Sequence, residues 1–226
     1  KEHKSFLDYP EAEAFALLPE EQEFSGVFKS FVFQKHPKTS YFPAIPVYNI
    51  NWDALQIDKV GTYSITRPWD ASKMHKAIYD KWMVVSQGRR CESVCDGTAC
   101  VGGDTIQFAY YATQVFAWEV DRERYDMLVN NLRVYGLGNV LCYNDSFVRC
   151  MGVSDILYLD PPWGGPKYSE TDGGVDLYLD GMNVKDLMPK LKERFAMVVV
   201  KVPFNFGKRD KDEVVEVTNK ISLWFP

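Results

Sequence analysis

Between residues 91 and 202 the chain repeats one pattern: a short apolar run, a loop carrying glycine or an acid, then a segment with helical spacing. The apolar runs fall at 91–95, 115–120, 140–143, 156–159 and 196–202, and helical segments fall at 105–111, 122–135 and 184–195. Gly136 is placed to end the second of these helices. Strands separated by helices predict an α/β protein with a mostly parallel sheet and helices on both faces. Such sheets bind ligands at the carboxyl ends of their strands. Runs at 214–217 and 221–225 read as a closing antiparallel hairpin. Upstream, 61–66 reads as a strand or turn. Residues 71–85 read as a helix with Met74, Ile78, Trp82 and Val85 on one face, its start capped by Asp70 or Ser72.

The strand ends carry the chemistry. The fourth run stops in Asp160-Pro161-Pro162-Trp163-Gly164-Gly165-Pro166, which cannot continue a strand. The prolines fix the backbone so that a carbonyl points outward beside the Asp160 carboxylate. Together they offer two acceptors to the two hydrogens of an exocyclic amine, while the Trp163 indole can stack on a purine. That combination suits methylation of a nucleobase amino group. The first strand ends in Asp96-Gly97-Thr98-Ala99-Cys100-Val101-Gly102-Gly103-Asp104, where glycines permit a tight turn and close backbone approach. This is neither GxGxxG nor a triphosphate loop. Glu119, ending the second strand, is placed to accept both hydroxyls of a ribose. Asp145, after the third, can accept from an adenine amine with Phe147 lying against the ring. In this order the four features spell a methyltransferase that uses S-adenosyl-L-methionine (AdoMet).

Residues from about 61 to 206 resemble the trimethylguanosine synthase family, the cap guanine-N2 methyltransferases. The matching segments are Tyr63-Ser64-Ile65-Thr66, DGTACVGGDTIQFA (96–109), WEVDRER (118–124), NNLRVYG (130–136), NDSF (144–147), DPPWGGPKY (160–168) and VPFN (202–205). The resemblance implies a Rossmann-like class I AdoMet-dependent methyltransferase fold over 61–226, preceded by an N-terminal extension over 1–60 that packs across the active site. It implies methyl transfer from AdoMet, with AdoHcy as product, to N2 of a 7-methylguanosine cap on small nuclear, nucleolar or similar RNA. By matching position, Thr66, Asp96, Gly97, Thr98, Gly102, Thr105, Glu119, Val120, Asp145, Ser146 and Asp160 would hold AdoMet. Asp160, Pro161, Pro162 and Trp163 would be catalytic, and Trp163, Lys167 and Asn205 would face substrate. Family members commonly carry Ser before PPW, whereas Asp160 stands here, as in adenine-N6 methyltransferases. Guanine N2 and adenine N6 therefore both stay open, as does a catalytically silent cap-binding subunit.

Composition narrows the partners. A net charge of −5 argues against a broad electrostatic grip on duplex nucleic acid but leaves room for one base or a cap. Lys35, His36 and Lys38, Arg89 and Arg90, and Lys208, Arg209 and Lys211 form small basic clusters, more often solvated faces than phosphate sites. No apolar run approaches the roughly eighteen residues a bilayer span needs, and no signal-peptide pattern opens the chain, so no membrane partner is expected. Five cysteines without a CxxC pair suggest reduced thiols inside a cell, in nucleus, nucleolus or cytoplasm. Histidines and cysteines show no zinc spacing, and no metal is expected. A monomer is expected. Residues 1–23 suggest a short helix ended by Pro19. Residues 24–57, with Phe28, Phe31, Phe33, Tyr41, Phe42, Tyr48 and Trp52 among Pro37, Pro43 and Pro46, read as an arm packed on the domain.

Overall fold

Buried strands that are apolar on both faces need cover on both, and the computed structural model places helices accordingly. It describes residues 36–44, 50–164, 175–207 and 213–226. The expected helix within 1–23, together with Phe28, Phe31, Phe33, Tyr48, Lys167 and the cluster at 208–211, lies outside these. In chain order the elements are α1 (Lys59–Ser64), α2 (Pro68–Val85), β1 (Ser93–Asp96), α3 (Gly103–Tyr111), β2 (Gln114–Trp118), α4 (Arg122–Val134), β3 (Val140–Tyr143), α5 (Phe147–Cys150) and β4 (Ser154–Leu159). There follow a small ladder of β5 (Tyr178–Leu179) and β6 (Met182–Asn183), then α6 (Val184–Lys192), β7 (Phe195–Pro203), β8 (Glu213–Glu216) and β9 (Ile221–Phe225).

The described residues form a seven-stranded sheet of order β3-β2-β1-β4-β7-β9-β8. The first five strands are parallel, while β9 runs antiparallel between β7 and β8. The expected hairpin is present, and its second strand is the one that joins the sheet interior. On one face α2 and α3 bury Met74, Ile78, Trp82 and Phe108 against Val94, Ile156 and Val199. On the other, α6 buries Leu187 and Leu191 against Leu157, Leu159 and Val198. Full burial of each such side chain is worth roughly 1.5–3 kcal/mol.

Three expectations differ from the structure. Residues 61–66 are not a strand: α1 covers 59–64 because Asp58 caps it, accepting from the Gly61 N–H at 2.6 Å. Neither Asp70 nor Ser72 caps α2. Its N-cap is Arg67, and Pro68, whose φ is already helical and whose missing N–H costs nothing there, opens the first turn. Lys38 is not a freely solvated charge. Its Nζ donates to the carbonyls of Trp52 (3.1 Å), Asp53 (3.1 Å) and Leu55 (2.6 Å).

The described part of the arm is held by α4. Asn131, fully buried, donates to the carbonyls of Gln56 (2.8 Å) and Val101 (2.9 Å) and accepts from the Gln56 N–H (2.7 Å). Asn130 donates to the Ala54 carbonyl at 2.8 Å and the Tyr135 hydroxyl to that of Pro43 at 2.6 Å. Phe42 and Leu55 pack in an apolar cluster with Leu128 and Leu132 of α4. The segment NNLRVYG thus fastens the arm and the glycine loop to one helix.

Candidate active site

Four neighbouring parallel strands, β3, β2, β1 and β4, end at one edge of the sheet, each with an acid at or just past its last residue. Asp96, the last residue of β1, is buried. It accepts from the Thr105 hydroxyl at 2.6 Å and from the Thr98 N–H at 3.2 Å. Burial pushes its pKa up to about 7, against the opposing pull of the Thr105 hydrogen bond. Gly97 has no room for a side chain: a Cβ would lie 2.6 Å from Leu159 Cδ2. Gly102 has φ +98°, the left-handed region, where it turns the chain into α3.

Glu119, one residue past β2, is nearly buried, and its two oxygens accept from the N–H groups of Cys100 (3.0 Å) and Asp121 (2.8 Å). Each oxygen keeps further acceptor capacity. Val120 beside it is an exposed apolar surface. Asp145 is 44% exposed and accepts from the Ser146 N–H at 2.7 Å. Asn144 Nδ2 donates to the Glu119 carbonyl at 2.9 Å, tying the β3 turn to the β2 turn. Phe147, expected against an adenine ring, is instead buried beneath the Gly97 turn, with its ring 6.4 Å from Trp118 and 6.1 Å from Phe195.

The turn after β4 completes the edge. The Asp160 N–H donates to Thr98 Oγ1 at 2.6 Å. Pro161 is buried, Pro162 and Gly164 are exposed, and Trp163 is half-buried against the apolar cluster on the face that α6 covers. Asp160 Oδ2 receives Lys201 Nζ at 2.7 Å, and the same Nζ lies 5.4 Å from the centre of the Trp163 ring. Lys201 also donates to Thr66 Oγ1 at 2.8 Å, and Thr66 donates to Asp104 Oδ2 at 3.0 Å. The Tyr158 hydroxyl reaches Asp104 Oδ2 at 2.9 Å, and His75 Nε2 lies 3.3 Å from Oδ1. Burial pushes the Asp160 pKa up to about 6, with the Lys201 ammonium working against it. Burial would also raise Asp104, but the His75 hydrogen bond and the Lys201 charge outweigh it and hold that carboxyl low.

Thr66 and Thr105 therefore support Asp104 and Asp96 from behind. Asn205 follows β7 in a turn at the same edge, its carbonyl accepting from the Val175 N–H at 3.1 Å. Lys201, Asp104, His75, Tyr158 and Asn144 were not among the sequence candidates. The one available signal was a lysine inside the apolar run VVVKVPF.

The acceptor set fits AdoMet. Glu119 and Asp145 stand at adjacent strand ends with lone pairs left for a ribose diol and an adenine amine, and Val120 offers apolar surface beside them. The strand order, the inserted antiparallel β9 and the acid-bearing edge define a class I AdoMet-dependent methyltransferase fold. Residues 91–224 match the family model of RNA cap guanine-N2 methyltransferases, and the chain belongs to that family. It is 35% identical over 136 residues to uncharacterized protein L320 of Acanthamoeba polyphaga mimivirus, covering 56% of this chain and 53% of that protein. It is 29% identical over 126 residues to trimethylguanosine synthase of Schizosaccharomyces pombe (strain 972 / ATCC 24843), covering 52% and 49%. The chain spans about half the length of these curated relatives. The T. thermophilus 16S rRNA N2 G1207 methyltransferase (RsmC), solved with AdoMet and guanosine, shares the fold with a TM-score of 0.51 at 16% identity, over 75% of this chain and 43% of that one.

Proposed function

We propose that this chain transfers a methyl group from AdoMet to the exocyclic N2 amine of a 7-methylguanosine cap on RNA. The observation that carries the reading is the direct bond between the Asp160 N–H and Thr98 Oγ1, which fixes the DPPW turn against the glycine turn of the cofactor edge. Membership of the RNA cap guanine-N2 methyltransferase family supports the choice of guanine N2 and of the cap.

AdoMet, when bound, supplies a methyl group on a sulfonium that departs as a neutral thioether. Glu119 would hold the ribose hydroxyls, Asp145 the adenine amine, and the 96–103 turn the remaining backbone contacts. The work left to the chain is orientation and an electrostatic setting, together worth several kcal/mol. An exocyclic amine is a weak nucleophile because its lone pair conjugates into the ring. The Asp160 carboxylate and the Pro161 carbonyl accept hydrogen bonds from its two N–H groups and draw the nitrogen toward tetrahedral geometry. As the N–C bond forms and the C–S bond breaks, one of these protons leaves to water. A pKa of about 6 for Asp160 favours the ionised form at neutral pH, in which both oxygens are acceptors. The Trp163 indole stacks on the base, and the positive charge of 7-methylguanine strengthens that contact over plain guanine.

Incubation with labelled AdoMet and, in separate reactions, m7GTP, GTP and an adenosine oligomer tests this. Label on m7GTP is expected. Label on the adenosine oligomer alone would move the reading to adenine N6, the base favoured by an acid before PPW. No label on any substrate together with failure to bind AdoMet by calorimetry would favour a catalytically silent cap-binding subunit.

A further inference from the structure

Lys201 is 4% exposed, and its ammonium has three oxygen-bearing neighbours: Asp160 at 2.7 Å, Thr66 at 2.8 Å and, through Thr66, Asp104. The pair it forms with Asp160 is lopsided, since the Asp160 side chain is 19% exposed. The cation is sealed in, 5.4 Å from the centre of the Trp163 ring, while the anion keeps part of its surface exposed. Strand register creates the pair: Leu159 of β4 lies beside Val200 of β7, so the next residues, Asp160 and Lys201, come side by side. A buried ion pair adds little net stability over apolar residues of similar volume. Stability alone therefore gives no reason for a lysine in the apolar run VVVKVPF.

We infer that Lys201 is a positioning residue for methyl transfer, engaging Oδ2 of Asp160 so that the carboxylate stays fixed with its other oxygen turned to the substrate amine. The inference rests on the function proposed above and adds a residue to it. Thr66 and Asp104 hold the ammonium from behind, and Asp104 is itself held by Tyr158 and His75. The charged and titratable groups that bear on Asp160 are Lys201 from β7, Asp104 from α3, Asp96 from β1 and Tyr158 from β4. Lys201 is the one cation in that set. Removing it leaves Asp160 partly buried among other acids, where it takes up a proton more readily and one of its two acceptor oxygens becomes a donor.

The test compares wild type with Lys201→Met, Lys201→Arg, Asp160→Asn and the Asp160→Asn/Lys201→Met double variant. In Lys201→Met, kcat on m7GTP is expected to fall about 10–100-fold at pH 7, with AdoMet affinity by calorimetry within about threefold of wild type. The acid limb of its kcat/KM profile should move up by at least about one pH unit, and Lys201→Arg should restore part of the rate. The double variant should be no slower than Asp160→Asn, because Lys201 acts through Asp160. The Asp160 carboxyl is also followed by 13C NMR in the cofactor-free protein, with Asp160→Asn as the assignment control. Its titration should move up in Lys201→Met by at least about one pH unit. Thermal unfolding checks that each variant is folded, and if Lys201→Met is not, Lys201→Arg and Thr66→Val carry the comparison with smaller shifts of the same sign. An unmoved acid limb and carboxyl titration, or losses from the two single variants that multiply, would overturn the inference. A wild type silent on every nucleotide would refute the proposed function instead, and the carboxyl titration would still read the coupling of Lys201 to Asp160.

Discussion

Thr98 Oγ1 accepts the backbone N–H of Asp160 at 2.6 Å across 62 residues of sequence. The hydroxyl belongs to the turn after β1 and the amide to the turn after β4. The pairing of β1 with β4 and the Gly97 N–H to Tyr158 carbonyl bond bring the two turns together, and the Thr98–Asp160 bond fixes how the proline turn sits on the glycine turn. Replacing Thr98 by Val keeps the shape and removes the acceptor. Stability should fall by about 0.5–1.5 kcal/mol, the usual worth of such a bond. Methyl transfer should fall more, about tenfold or beyond, because reacting groups tolerate little misplacement. Denaturant melts and steady-state rates on the same samples separate the two effects.

Glu119 has two duties, and substitutions divide them. Its oxygens receive the Cys100 and Asp121 N–H groups while remaining open to a diol. Glu119→Gln retains one acceptor, and AdoMet affinity should weaken about tenfold. Glu119→Ala also leaves both N–H groups without their acceptor, and a loss of about 100-fold is expected, in line with the 1.5–3 kcal/mol of charged hydrogen bonds. Calorimetric titration with AdoMet reads both.

Trp163 is half-buried and carries no cofactor contact in the proposed arrangement. Trp163→Ala should weaken m7GTP binding by about 1–3 kcal/mol, the range for base–aromatic stacking, and leave AdoMet binding unchanged. The preference for m7GTP over GTP should shrink as well, since the ring charge then has no indole to meet. Equal losses for AdoMet and m7GTP would instead make Trp163 a structural residue.

Asp96 makes stability depend on pH. Its pKa is raised by burial from 3.8 to about 7, so the folded state binds its proton more tightly than the unfolded state. The associated stabilisation is complete below about pH 3.8 and is lost as pH rises through about 7. Asp96→Asn cannot titrate. Between pH 5 and pH 8 the stability of the cofactor-free wild type should therefore fall relative to this variant by about 2–3 kcal/mol. Denaturation curves at the two pH values measure the change, and a constant gap would contradict it.

Asn131, itself fully buried, links three parts of the chain through three hydrogen bonds, two part-buried ones to Gln56 and a buried one to Val101. Asn131→Leu removes them and leaves the Gln56 N–H and two carbonyls without those partners. A loss of about 2–4 kcal/mol is expected, visible as a lower midpoint in thermal melts and as faster proteolysis near residues 50–57.

Much of the sheet was readable from residues alone. The runs at 140–143 and 221–225 coincide with β3 and β9, and those at 115–120, 156–159 and 196–202 fall within a residue or two of β2, β4 and β7. Apolar periodicity is a local property, so it survives in the sequence. The acids Asp96, Glu119, Asp145 and Asp160 were legible for the same reason, since each directly ends or follows an apolar run. Errors came where a local signal competed with another. Residues 61–66 read as a strand or turn, but the Asp58 cap nucleates a helix over 59–64. Phe147 looked available to a ligand, and packing beneath Gly97 buried it.

What the residues determined by themselves was a parallel α/β sheet with four acid-bearing strand ends and an indole after the fourth. What the tertiary structure decided was which ends meet: that β1 and β7 flank β4, that Thr98 reaches the Asp160 amide, and that Lys201 comes to lie beside the Asp160 carboxylate. Strand neighbours are chosen by the burial of whole faces and by helix crossovers between distant segments. A pair 41 residues apart in sequence and 2.7 Å apart in space therefore leaves no local trace beyond one lysine in an apolar run.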